Sequence, residues 1–149
     1  MGMLIIKTLR GWYVGCDTQN SGGQANGGGT ILIECLGTVT ISGTVTANGG
    51  DGSGIGAGVG GGGSGMIGVL SVGAINCSGG TLNAIGGNGG GGGGGGGGAI
   101  VFITQGTFTA GTTSVLGGTG TYQAGEDGTV FSSASSSAAF TQRGWALGD

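Results

Sequence analysis

Residues 27–52 read GGGTILIECLGTVTISGTVTANGGDG, a stretch that sets apolar strands against glycine turns. In Thr38-Val39-Thr40-Ile41 and in Thr44-Val45-Thr46-Ala47 the apolar residues alternate with threonines. Side chains of a strand point to opposite faces in turn, so this period of two predicts half-buried strands with a β-branched core face and a hydroxyl outer face. Nothing in it follows the 3.6-residue period of a helix. The stretch therefore predicts an apolar strand over Ile31-Leu32-Ile33, a glycine turn at Gly37, an alternating strand, a second turn at Gly43, a short third strand and a glycine-rich return.

The unit recurs at a spacing of 33 to 36 residues. Ile67 aligns with Ile31, Val69 with Ile33, Gly73 with Gly37, Ile75 with Val39, and, after one inserted glycine at Gly80, Thr81-Leu82 with Thr44-Val45. A third copy sets Ile100-Val101-Phe102 on the first strand, Gly106-Thr107-Phe108-Thr109 on residues 37–40 and Gly117-Gly118 on Gly49-Gly50. Internal repeats of this length mark structures whose units bury their apolar faces only by stacking. The predicted fold is all-β, a β-solenoid or β-prism of three glycine-rich repeats at about 27–62, 63–95 and 96–128, completed by oligomerisation.

The returns are the unusual part. The chain carries 46 glycines and no proline, and Gly89 to Gly98 are ten glycines in succession. Each glycine in a helix costs about 1 kcal/mol relative to alanine, and collagen would need glycine at strict third positions with abundant proline. Both are excluded. Extended glycine segments in the left-handed three-residue helix lack side chains, approach one another closely and bond sideways through N–H and C=O groups. The blocks 49–65 and 86–98 are accordingly read as polyglycine-II segments whose backbones serve as core.

Composition removes several function classes. The net charge is −3, and the three basic residues, Lys7, Arg10 and Arg143, lie near the ends, so no basic patch exists to neutralise phosphates and nucleic acid is not an expected partner. Only 6% of residues are charged, which predicts that neighbouring copies cover part of the surface. No run of about 20 apolar residues suits a membrane helix, and the apolar stretch after Met1 is too short for a signal peptide. Without histidine, neither a Ser-His-Asp triad nor a Cys-His pair can form. Glu126-Asp127 sit in a turn-like Ala-Gly-Glu-Asp-Gly, and no lysine follows a glycine loop as a phosphate site requires. Asp51 is replaced by Asn88 and Thr119 in the later repeats, which removes a periodic calcium site. Cys16, Cys35 and Cys77 show no metal spacing and read as small buried hydrophobes. The expectation is a non-enzyme with no metal and no cofactor.

Two flanks stand outside the repeats. Residues 1–24 form an attachment segment carrying Leu4, Ile5, Ile6, Trp12 and Tyr13, and residues 129–149 form an amphiphilic tail with Arg143 and Trp145.

The alternation of Ile-rich strands, the SGTVTANGGDGSG stretch and the ten-glycine run resembles the glycine-rich fibre and receptor-binding adhesins of tailed bacteriophages, of polyglycine-II type. The resemblance implies a structural virion protein, made in the host cytoplasm, that attaches to other virion proteins and contacts a host surface glycan or outer-membrane protein. It places host contact in the loops between glycine blocks, here Asn48, Asp51, Ile85, Asn88, Thr119 and Tyr122. A homo-oligomer is expected, with three chains burying strands that one chain would leave half exposed. This chain has fewer glycine blocks than those adhesins, which leaves two alternatives. One is a capsid or tail decoration protein without receptor binding. The other, of a different class, is an ice-binding protein whose Thr-x-Thr pairs (38/40, 44/46, 107/109) form a flat array.

Overall fold

The computed structural model describes residues 4–9 by their backbone, and residues 25–54 and 58–134 in full. Strand β1 (Leu4–Leu9) precedes three strand triplets. The first is β2 (Thr30–Cys35), β3 (Val39–Thr40) and β4 (Thr44–Thr46); the second is β5 (Met66–Ser71), β6 (Ile75–Asn76) and β7 (Thr81–Asn83). The third is β8 (Ala99–Thr104), β9 (Phe108–Thr109) and β10 (Thr112–Ser114), and β11 (Thr129–Ala134) follows. No helix occurs among the described residues.

Equivalent strands stack in parallel and in register, which makes the chain a β-solenoid of about three turns. β2, β5, β8 and β11 form one long sheet; β3, β6 and β9 form a second; β4, β7 and β10 form a third. Ile31 pairs with Ile67 and Ile67 with Ile100, Val39 with Ile75 and Ile75 with Phe108, as the repeats predict. β1 runs antiparallel along β2, from Leu4 opposite Cys35 to Leu9 opposite Thr30, and covers that edge of the long sheet. Leu4, Ile5 and Ile6 thus belong to the sheet. Trp12, Tyr13, Arg143 and Trp145, with Cys16, lie outside the described residues.

The tail begins later than the sequence reading places it. Thr129 pairs with Ala99 and Ala134 with Thr104, so the first six residues of the expected tail open a fourth turn. Its composition concealed it, because in TVFSSA the alternation ends in serines and supplies Val130 where earlier turns carry isoleucine.

The core sits inside the turns. Ile67, Val69, Ile75, Cys77, Leu82, Ala84 and Ile100 are fully inaccessible, and Phe102 is nearly so. These are the inward residues of the alternating strands, covered above and below by the next turns. Stacking within one chain is sufficient to bury them. The burial argument for a threefold assembly therefore reaches only the ends of the stack, where Ile31, Ile33 and Val45 are half-buried and Val130 is exposed.

Hydroxyls tie the first corner. Ser71 donates to the Gly37 carbonyl and Thr104 to the Gly73 carbonyl, each reaching back one turn. Cys77 faces the core, and burial raises its thiol pKa. A thiol reagent applied to the folded protein at neutral pH is expected to leave Cys77 unmodified, and to modify it once denaturant is added; peptide mass spectrometry reads both states.

Each return is a pair of glycine-rich arms, one leaving β4, β7 or β10 and one running back to β5, β8 or β11. The first outgoing arm passes through Gly54 and the first back arm starts at Gly58, with φ of 147° and 104° respectively, values that only glycine adopts without strain. Outgoing arms bond to the next turn at every third residue: Gly49 N–H to Ile85 O and Gly52 N–H to Asn88 O, then Gly86 to Leu116 and Gly89 to Thr119, all at 2.7–2.9 Å. Back arms do the same through Gly61 to Gly93 and Ser64 to Gly96, then Gly94 to Gln123 and Gly97 to Glu126. The two layers bond to each other on the remaining positions, Gly62 to Gly50 and Gly65 to Ala47 in the first turn, Gly95 to Gly87 and Gly98 to Ala84 in the second. The ten-glycine run supplies the tip and back arm of the second turn, which has backbone above, below and across from it.

Candidate functional site

A three-residue period puts every third residue of an outgoing arm on its outer face. Stacking then aligns these residues into columns. Asn48, Ile85 and Leu116 form one, because Gly49 bonds to Ile85 and Gly86 to Leu116; Asp51, Asn88 and Thr119 form the next by the same logic. Five of the six residues expected to contact a host surface are thereby brought onto one face, although up to 71 residues separate them in sequence. The sixth, Tyr122, lies at the tip of the third return with 75% of its surface exposed, and Leu116, six residues earlier on the same turn, is 56% exposed.

The columns are bonded as well as aligned. Asn48 Oδ1 accepts the Ile85 N–H at 2.9 Å, Asp51 Oδ1 accepts the Asn88 N–H at 2.7 Å, and Asn88 Oδ1 accepts both the Thr119 N–H at 2.9 Å and its Oγ1–H at 2.8 Å. Amides that would otherwise face solvent are capped by the side chain one turn below. Asp127 on the back arm likewise accepts the Gly117 N–H at 2.8 Å. The loops named from the sequence are therefore a braced platform. It keeps the Asn48 and Asn88 amide N–H groups, the second Asp51 oxygen and the Tyr122 ring available to a ligand.

Such a platform can offer hydrogen-bond donors and acceptors on a regular grid with an aromatic and an aliphatic side chain at one edge, a chemistry suited to polar, weakly curved surfaces such as glycans. Among the described residues no group of three or more His, Cys, Asp or Glu side chains converges. Asn88→Ala removes two accepted bonds at once. It is expected to cost about 1 kcal/mol and to speed amide exchange at Thr119 selectively, which hydrogen-exchange mass spectrometry detects.

A second regular face belongs to the third sheet. Thr44, Thr81 and Thr112 stand in one column, and Thr46, Asn83 and Ser114 in the next, all on the outer side. Asn83 and Ser114 interrupt the threonine array in its second column, and the expected pairs do not form one array: 44/46 lies on this sheet, whereas Thr40 and Thr109 flank Asn76 on the second sheet.

No family model, curated protein or solved structure matches this chain.

Proposed function

We propose that this chain is a non-enzymatic structural protein of a tailed phage or phage-like particle, a fibre or adhesin subunit that fastens to other virion proteins and contacts the host surface through its outgoing glycine arms. In this reading the arms are polyglycine-II helices and the protein works as a homo-oligomer. One observation carries it: the outward columns Asn48–Ile85–Leu116 and Asp51–Asn88–Thr119 are displayed on a scaffold held by backbone bonds. A surface so built tolerates exchange of Ile85, Leu116 and Thr119, whose side chains cap no amide, while Asn48, Asp51 and Asn88 brace the turns above them. That property suits a recognition face that must change partners while the support stays the same.

The test is binding of fluorescently labelled protein to a panel of bacterial cells and to their extracted surface polysaccharide. Saturable binding is expected, weakened at least about tenfold by Tyr122→Ala with Leu116→Asp, at unchanged melting temperature. Binding to isolated phage particles with none to any cell would replace the adhesin reading by the decoration reading.

The Thr44–Thr81–Thr112 column favours a second reading, ice binding, since strands about 4.8 Å apart and alternate residues about 6.6 Å apart make a flat hydroxyl grid. Thermal hysteresis in the purified protein, abolished by Thr81→Lys, is its signature.

A further inference from the structure

The two outer faces of the glycine layers differ in a way the fold itself does not require. On the outgoing arms, the outward positions hold asparagine, aspartate, isoleucine, leucine and threonine, and three of their amides, those of Ile85, Asn88 and Thr119, are capped by side chains. On the back arms, the matching outward positions of the first two turns are Gly60, Gly63, Gly93 and Gly96. A methyl built on Gly63 meets nothing within 4 Å, and on Gly60, Gly93 or Gly96 it meets one carbonyl oxygen at 3.5–3.9 Å, an ordinary contact. None of the four has a positive φ. Neither space nor conformation within the chain explains glycine there, and the third turn carries Gln123 and Glu126 at the equivalent places. Among the described residues the N–H groups of these four glycines have no acceptor, and the carbonyls of Gly61, Ser64, Gly94 and Gly97 have no donor.

We propose that this bare face is where a second copy of the chain packs, its backbone close against this one. Each unpaired donor and acceptor recurs at every third residue, a spacing that only another three-residue helix without side chains can match, and the chain carries that surface itself. The contact already exists once inside the molecule, between the two layers, where Gly62 N–H meets Gly50 O at 2.9 Å and Gly95 N–H meets Gly87 O at 2.8 Å. The back arms also run directly into β5, β8 and β11, with rung-to-rung bonding unbroken through Met66, Ala99 and Thr129. The outer side of the long sheet is apolar in its middle turns, through Met66, Leu70, Val101 and Ile103 with Leu32 and Phe131 beside them, while Glu34 and Ser133 stand in the same columns in the first and last turns. The glycine part, two turns wide, is about 25 Å by about 10 Å and the four-strand part about 20 Å by about 19 Å, roughly 600 Å² per copy, at the lower end of specific interfaces. The glycine half supplies directed bonds and the strand half supplies apolar burial.

This assignment rests on the homo-oligomer part of the proposed function and not on its virion or host part. The experiment is sedimentation equilibrium of the full chain over a range of concentrations, for the unaltered protein, Gly63→Arg, Gly96→Arg and, on the opposite face, Leu116→Arg. The unaltered protein is expected to sediment as an assembly, with slow amide exchange at Gly63 and Gly96. Either glycine variant is expected to raise the dissociation constant at least about a hundredfold, because the contact would bury an unpaired charge, while Leu116→Arg leaves the mass unchanged. Unchanged melting of the variants at dilutions where all are single chains excludes misfolding as the cause. A single-chain mass at every concentration overturns both this assignment and the homo-oligomer, even if those amides exchange slowly, since the chain would then cover the face itself. An assembly indifferent to Gly63→Arg and Gly96→Arg overturns the face alone. A failure to bind cells leaves every one of these masses as they are.

Discussion

Gly95→Ala is expected to dismantle the glycine layers, at a cost of about 4 kcal/mol or more in unfolding free energy. Gly95 is buried in the back arm of the second turn; its N–H bonds to Gly87 O at 2.8 Å and its carbonyl accepts from Gly118 N–H at 2.8 Å. A methyl built on it falls inside the van der Waals envelope of the Gly62 carbonyl, one turn below. The obstacle is backbone and not the end of a flexible side chain, so relief requires two turns to part and the bonds among Gly62, Gly87, Gly95 and Gly118 to break. Gly43→Ala is the matched control, because a methyl there meets nothing within 4 Å and the position is exposed. It should stay within about 0.5 kcal/mol of the unaltered protein. Urea unfolding of both variants makes the comparison; equal stability would mean that the arms are loops and not a packed core.

Phe102→Ala is expected to cost about 4 kcal/mol. Phe102 is 1% exposed, stacks in one column with Val69 and Ile33, and lies against Phe108 with ring centroids 4.9 Å apart and planes tilted by 39°. Truncation removes the largest fully buried side chain among the described residues. The cavity cannot collapse easily, because parallel ladders on both sides hold the turns at their spacing. Phe102→Leu refills most of the space and should cost about 1 kcal/mol. Shifts of the denaturation midpoint measure both. A loss below about 1 kcal/mol for the alanine variant would show that the core is not closed within one chain.

The register of the solenoid was legible because it depends on short-range periods repeated along the chain. The matches of Ile31 with Ile67 and Val39 with Ile75 are ladder partners, and the match of Gly49 with Gly86 puts the Gly49 N–H on the carbonyl of the preceding Ile85. The same reading passed over Thr129–Ala134, whose polar residues pair with β8 although they no longer alternate like it. The resemblance puts Asn48, Asp51, Ile85, Asn88, Thr119 and Tyr122 in loops between glycine blocks, and the sequence has no means of showing that Asp51 and Asn88 cap the next turn's amides.

By itself, then, the sequence determined the all-β class, the repeat, the strand register and the inward and outward alternation, since each follows from local sterics and from residues two or about 33–36 apart. Only the tertiary structure decided which glycines are compulsory. Gly95 and Gly96 are identical neighbours in one run, yet the first is enclosed by Gly62 and Gly87 while the second faces outward with room for a side chain. Steric exclusion is set by backbone atoms brought alongside by the fold, and in a run of ten glycines no local signal distinguishes one residue from the next.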